Sequence, residues 1–247
     1  MNKKYLSLIL AVMMAMAALL TGCGGGEVAD NTLTMATNAE FPPYEYMEDG
    51  KVVGIDAEIA AAIAEKLGME LEINNIQFDA IIPAVQSGKA DVGVAGMTIT
   101  EDRLQNVDFS IPYTTSKQVI IVNEENPAVT GAADIAGKKV GVQLGTTGDI
   151  FAADATDFVE RFNKGADAVM ALTQRKVDCV IIDAQPAKAY VEKNEGLVIL
   201  EEDFVVEEYA IALKKGNTEL KDKIDAALTE LKEDGTLDEI IGKYIKE

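Results

Sequence analysis

The sequence predicts an α/β protein built as two similar lobes, each a mostly parallel sheet flanked by helices. Three observations predict it. Short apolar or alternating runs that read as strands take turns with amphipathic stretches that read as helices, the order expected of parallel sheets with right-handed crossovers. A weak internal repeat is present: Ala84-Val85, Lys89 and Asp91 recur at the same offsets as Ala171-Leu172, Lys176 and Asp178, each set a helix end leading into a buried strand. The chain has 247 residues, 48% of them apolar, which is enough for one large core or two smaller ones.

Composition excludes several classes of function. The net charge of −20 argues against a nucleic-acid partner, whose binders are usually basic. Histidine is absent, which removes imidazole metal sites and histidine-based acid–base chemistry. No metal and no cofactor is expected. The two cysteines, Cys23 and Cys179, sit in settings that argue against a disulfide, one at a processing site and one inside an apolar strand.

The N-terminus carries an address. Lys3 and Lys4 precede an apolar stretch from Tyr5 to Leu20, and Leu20-Thr21-Gly22-Cys23 matches a bacterial lipobox. Residues 1–22 therefore read as a signal peptide; a membrane span is the alternative, for which the run is short. By resemblance to bacterial lipoproteins, Cys23 becomes the first mature residue and carries lipid. Residues 23–32 read as a small, polar tether.

Leu33 to Thr37 alternates as a strand, and the loop Asn38 to Pro43 follows at its carboxyl end, the edge where open α/β sheets bind ligands. Phe41 in that loop is either a ligand wall or a core aromatic. Asp56 to Gly68 reads as an amphipathic helix capped by Asp56 and stopped by Gly68. Leu71-Glu72-Ile73 is a short strand, and Phe78 precedes a helix that runs to Gly88. Val92 to Ala95 is a buried strand leading into Gly96-Met97-Thr98-Ile99-Thr100-Glu101-Asp102-Arg103. Thr100 suits an N-cap, and Glu101 and Asp102 suit a first helical turn, but Arg103 sits there against the helix dipole. Either it pairs with Glu101 or Asp102, or it holds a ligand carboxylate with its planar fork, helped by the Thr98 hydroxyl and loop N–H groups.

Ile111-Pro112-Tyr113 ends the first lobe, and the polar stretch Thr114 to Lys117 crosses to the second. Gln118 to Val122 and Lys139 to Gln143 are strands separated by loop chemistry. Leu144-Gly145-Thr146-Thr147-Gly148 opens a helix over 149–155; its free N–H groups suit an anion, though a plain helix start fits too. A phosphate is a third reading, without the spacing and lysine of a P-loop. Val180-Ile181-Ile182 leads into Asp183, which the repeat superposes on Gly96; an ordinary capping aspartate is the plain reading. Residues 202–208 cross back, Tyr209 to Leu213 rejoin the first lobe, and two acidic helices end the chain, about 220–232 and 237–246. The lobes are thus expected at 33–113 with 209–247, and at 114–208.

Several stretches together resemble the bacterial extracellular solute-binding proteins of family 3, the binding subunits of polar amino-acid ABC importers. They are Ala36-Thr37-Asn38-Ala39-Glu40-Phe41-Pro42-Pro43-Tyr44, Gly54-Ile55-Asp56, Phe78 to Ala84, Gly96 to Arg103, Val107 to Ser110, Gly145 to Gly148 and Asp234 to Thr236. The resemblance implies a two-lobed periplasmic-binding-protein-like fold of type II, no enzyme activity, and closure of the lobes on a free amino acid. It implies that Arg103, Thr98 and the Thr146–Thr147 amides answer the ligand carboxylate, and that Gly96 and Met97 are also ligand-binding. Asp183 accepts the ammonium, and Phe41 and Phe78 wall the side chain. Asn38, Gln143 and Glu40 are left for the side-chain end; Glu40 also suits a solvated loop position. Many relatives that bind basic amino acids have an acid where Asn38 stands, and the family usually has Gly where Ala210 stands. A basic or amide-bearing amino acid is the favoured ligand. The implied partners are an ABC permease and ATPase, and the membrane through Cys23; a monomer on the outer face of the bacterial cytoplasmic membrane follows. The alternative is an enzyme of the same fold, a dehydratase acting on a cyclic carboxylic acid, with Glu40 as its loose acid–base candidate.

Overall fold

The computed structural model describes residues 31–200 and 205–246. Cys23, the signal peptide and most of the tether lie outside them. β1 (Thr32–Thr37) is followed by a small antiparallel meander, β2 (Glu40–Phe41), β3 (Glu45–Glu48) and β4 (Lys51–Val53). Then come α1 (Ile55–Leu67), β5 (Glu70–Asn75), a 3-10 turn at Phe78–Ala80, α2 (Ile81–Ser87), β6 (Val92–Gly93), α3 (Glu101–Leu104) and β7 (Val107–Phe109). The chain continues through β8 (Thr114–Asn123), β9 (Val140–Gln143), α4 (Thr147–Ala155), β10 (Val159–Phe162), α5 (Gly165–Thr173), β11 (Cys179–Asp183), α6 (Ala184–Val191) and β12 (Leu197–Ile199). It returns by β13 (Val205–Tyr209) to β14 (Ala212–Lys214), α7 (Thr218–Glu233) and α8 (Thr236–Tyr244).

Two central sheets result. The first has the order β5-β1-β6-β14-β7 and the second β10-β9-β11-β8-β12, with β13 also paired to β8. Both are mixed rather than mostly parallel. β1 runs parallel to β5 and β6, but β14 enters antiparallel between β6 and β7. In the second sheet β9 is parallel to β10 and β11, whereas β8 is antiparallel to β11 and β12. The reason is topological: strands that carry the chain between sheets arrive without a crossover helix and so run the opposite way. In the second sheet that strand is β8, and in the first it is β14, reached directly from β13; β8 and β13 themselves pair antiparallel from Thr114↔Tyr209 to Gln118↔Val205.

Apolar strands covered on both faces explain the core. In β11, Cys179 and Ile181 face one apolar cluster, while Val180 and Ile182 face another. β8 divides the same way, with Ile120 and Val122 opposite Val119 and Ile121. That is why these strands read as unbroken apolar runs. Burial pushes the free Cys179 thiol up to about 12, so it behaves as a small apolar side chain.

Helix α1 corrects one expectation. Its N-cap is Gly54, not Asp56, at a φ of 121°. A Cβ there would stand 2.3 Å from the Tyr44 carbonyl oxygen, so only glycine fits. Asp56 lies inside the first turn, fully buried. Gly68 ends the helix in the left-handed conformation, as expected. Ala210 takes its place in the core and donates its N–H to Met97 O at 3.0 Å.

Candidate functional site: a closed pocket between two sheets

The carboxyl ends of strands of both sheets converge on one pocket. Asn38 follows β1, Gly96 and Thr98 follow β6, Gln143 ends β9 and Asp183 ends β11. The 3-10 turn brings Phe78, α3 brings Arg103, and the N-terminus of α4 brings Thr146 and Thr147. Phe41 adds an aromatic wall.

Arg103 is 7% exposed. Thr100 caps α3, accepting from the Arg103 N–H at 3.2 Å, which fixes where the side chain starts. The guanidinium donates through Nη1 to Thr98 O at 2.7 Å and through Nη2 to Gly145 O at 3.1 Å, and lies 5.5 Å from the Phe78 ring centroid. Glu101 and Asp102, the partners of the plainer reading, are exposed and do not pair with it. Among the described residues no carboxylate forms a salt bridge with Arg103. Burial pulls its pKa down, against the field of Glu207 and Asp183. A buried cation held only by carbonyls and a ring face is suited to an incoming anion.

Asp183 is 5% exposed and stands at the N-cap position of α6, yet its side chain makes no capping hydrogen bond. It accepts instead from the Tyr209 hydroxyl. Burial, then the neighbouring Glu207, pushes its carboxyl up to about 7. Thr146 caps α4, accepting from Asp149 N–H at 3.3 Å, so the helix begins at Thr147, two residues before the expected start. Gly148 packs so closely that a Cβ would lie 2.9 Å from Ile181 O, which seats this helix start on β11. The first-turn N–H groups have no intrahelical acceptor and suit an anion.

The two sides are held together. Gln143 Nε2 donates to Asn38 Oδ1 at 2.9 Å, Asn38 Nδ2 donates to Ile76 O at 2.8 Å, and the Arg103–Gly145 bond also crosses the cleft. Glu40 is not in the pocket lining. It pairs with Lys164 Nζ at 2.6 Å on the cleft rim, while its carbonyl accepts from the Tyr190 hydroxyl at 2.6 Å. Met97 is also outside the lining; its side chain is fully buried against Ile81, Val85 and Phe109.

Two acids, Glu45 and Glu207, and one small residue, Ala95, escaped sequence reasoning as site residues, and Asp56 was read only as a cap. Glu45 and Ala95 line the pocket. Glu45 is 1% exposed and is pushed well above the usual carboxylate range by burial and by the neighbouring Asp56. Asp56 accepts from Gly96 N–H at 2.7 Å and from the Tyr113 hydroxyl at 2.9 Å, and burial raises it to about 6. Glu207, on β13, is 5% exposed. The signal for Glu45 was an acid embedded in the aromatic stretch from Phe41 to Tyr46. For Glu207 it was the alternation Val206-Glu207-Glu208-Tyr209, which places it on the same face of the strand as Tyr209 and Val205. No cluster of acids and thiols suited to a metal occurs among the described residues.

Residues 33–247 match the model of the bacterial extracellular solute-binding proteins, family 3. The chain belongs to this family. The arginine-binding extracellular protein ArtP of Bacillus subtilis is 34% identical over 253 residues, covering 98% of each chain. A solved ancestral arginine-binding protein bound to arginine is 46% identical, with a TM-score of 0.83 over 87% of this chain and 99% of that one. The ancestral amino acid-binding protein AncCDT-1, a precursor of cyclohexadienyl dehydratase, is 33% identical with a TM-score of 0.81, over 87% of this chain and 96% of that one. These family-3 relatives carry the two-lobed fold that the sheets described above build.

Proposed function

We propose that this chain binds a free polar amino acid, basic or amide-bearing, between its two lobes and delivers it to an ABC importer. The observation that carries the reading is the pairing of opposite buried charges: Arg103, without a counter-ion, and Asp183, without a cap to make, line one pocket from opposite sheets. An amino acid's carboxylate and ammonium answer both at once. The Thr147 end of α4 adds N–H groups for the carboxylate. Phe41 and Phe78 enclose the side chain, and a cationic one gains about 0.5–2 kcal/mol from an aromatic face. The names of the relatives support the class. A dehydratase is the weaker reading: Glu40, its loose acid–base candidate, lies on the rim in an ion pair. Absorbance assays with cyclic carboxylic acids test for turnover directly.

The lobes are taken as 33–113 with 209–247, and 114–208, the chain passing between them through β8 and β13. The protein acts as a monomer, anchored by lipid on Cys23 to the outer face of the cytoplasmic membrane. Cys23→Ser is expected to release it from membranes or block its processing; a mature mutant that still fractionates with membranes would refute the anchor. The deciding experiment for function is a thermal-shift screen of the twenty amino acids. A ligand at 100 times its dissociation constant adds about 2.7 kcal/mol of stability. That moves Tm by roughly 5–10 °C for a chain of this size. A screen without any shift would sink the reading.

A further inference from the structure

Glu207 lies on the strand that joins the sheets, turned inward between two exposed neighbours, Val206 and Glu208. Its Oε2 accepts two hydrogen bonds, from the Thr98 hydroxyl at 3.0 Å and from Gln118 Nε2 at 3.0 Å. The same Gln118 nitrogen donates to Thr147 Oγ1 at 3.1 Å. A relay therefore runs from one pocket threonine to the other, passing through the joining strands: Thr98, Glu207, Gln118, Thr147.

With Glu207 as a carboxylate, donor and acceptor counting gives the direction of every bond in it. Turning the Gln118 amide around would set its oxygen against a carboxyl oxygen, so Nε2 faces Glu207. Glu207 Oε2 is then an acceptor, and Thr98, 3.0 Å away, has to donate its only hydroxyl proton to it. What Thr98 has left for the pocket is a lone pair. Thr147 is the mirror case. Its oxygen receives the Gln118 N–H, so its own proton remains free for the pocket.

We propose that Glu207 is a positioning residue that sets the hydrogen-bonding polarity of the pocket, making Thr98 an acceptor for the ligand ammonium and Thr147 a donor for the ligand carboxylate. This rests on the amino-acid reading and moves the Thr98 hydroxyl from the carboxylate side to the ammonium side, beside Asp183. It also accounts for an acid on the joining strand within the field of Arg103, where a plain counter-ion would be expected to form a salt bridge and does not. Discrimination follows, because a ligand placed the wrong way round would set donor against donor at Thr147 and acceptor against acceptor at Thr98.

Calorimetry on the mature chain, with L-arginine and L-glutamine as probes, tests it. Glu207→Gln keeps a carbonyl oxygen where Oε2 stands, and its dissociation constants should stay within about threefold of the wild type. Glu207→Ala removes the acceptor and should weaken binding about 10- to 100-fold. Thr98→Val should cost about tenfold or more in the wild type, but under about threefold once Glu207 is Ala, because the hydroxyl is no longer aimed. Since α-groups are common to all amino acids, the ratios should agree for every probe that binds. Should Glu207→Ala not fold, Glu207→Met replaces it, of similar length and without the acceptor oxygen. If Glu207→Gln binds as weakly as Glu207→Ala, Glu207 acts through its charge and the proposal is overturned. Additive losses in the double variant overturn it too. A wild-type chain that binds none of the twenty amino acids removes the amino-acid reading itself, whereas binding with the wrong mutant pattern removes only the role of Glu207.

Discussion

Asp56 and Asp183 look alike by most measures. Both are buried, both lie in a helix start at the carboxyl edge of a sheet, and burial raises both, to about 6 and about 7. Their surroundings differ. Asp56 receives a backbone N–H and a tyrosine hydroxyl from its own side of the molecule and does not line the pocket. Asp183 opens onto the pocket, with the Tyr209 hydroxyl as its donor. A perturbed carboxyl is therefore not by itself the mark of a binding site. What separates the two is whether the protein's own donors converge on the acid or leave it facing a space that a ligand can fill.

The largest expected effect tests the open member of the pair. Asp183→Asn, and Arg103→Ala at the other pole, each leave one ligand charge buried without its partner, a loss of about 2–5 kcal/mol in affinity, or roughly 30- to 5,000-fold. Asp183→Asn should leave the ligand-free protein no less stable, and more stable at neutral pH, where ionising the buried Asp183 costs stability. Titration calorimetry paired with thermal melts reads both; near-wild-type affinity in either variant removes that residue from the site. Arg103→Lys should also bind poorly, because the planar fork is lost.

Asp56→Ala should show the reverse balance. It strands the Gly96 N–H and the Tyr113 hydroxyl in the core, at about 1–3 kcal/mol for each donor. Chemical denaturation should lose most of that, while affinity falls less than with Asp183→Asn. Equal losses of affinity would erase the distinction between the two aspartates.

The smallest effect is a pH dependence whose sign separates them further. Asp183 has a folded-state pKa raised from 3.8 to about 7, so between those values the native protein holds more protons than the unfolded chain. Stability of the ligand-free protein therefore declines as pH rises through this window, with Asp56 contributing up to about 6 and Glu45 acting in the same direction. Amino-acid affinity moves the opposite way, since the ammonium needs an ionised Asp183. It should fall by at most about tenfold per unit below pH 7. Asp183→Asn should flatten this affinity profile and Asp56→Ala should leave it in place; binding titrations from pH 5 to 8 decide, on the order of 1.4 kcal/mol per pH unit.

The sequence carried the strands and most helix limits, because these rest on local chemistry. Thr100 caps α3 and Gly68 ends α1, and each signal is contained within one turn of chain. The mixed direction of the sheets was not legible, since the placing of β14 between β6 and β7 depends on a return from far along the chain. Asp56 misled for the same reason: its nearest helix start suggested a cap, while its partners Gly96 and Tyr113 lie 40 and 57 residues away. Glu40 was placed by its neighbours in sequence and turned outward by Lys164, 124 residues on. Glu45 and Glu207 were overlooked because a lone acid in an apolar or acidic stretch carries no spacing that announces burial.

The strands β8 and β13 form a two-stranded ladder with a fixed register from Thr114 to Gln118. A slip of one residue would break that ladder and turn Glu207 outward and Glu208 inward, so the lobes cannot slide past one another. On the proposed division into lobes, the motion left to them is a swing about the ribbon. Points close to such an axle keep nearly constant separation, and the wall formed by Thr98, Glu207 and Gln118 is next to it. On the proposed amino-acid reading the ribbon would work as a gauge, holding the span between Arg103 and Asp183 to the length of one amino-acid backbone and leaving variation in side-chain size to the end of the pocket away from it.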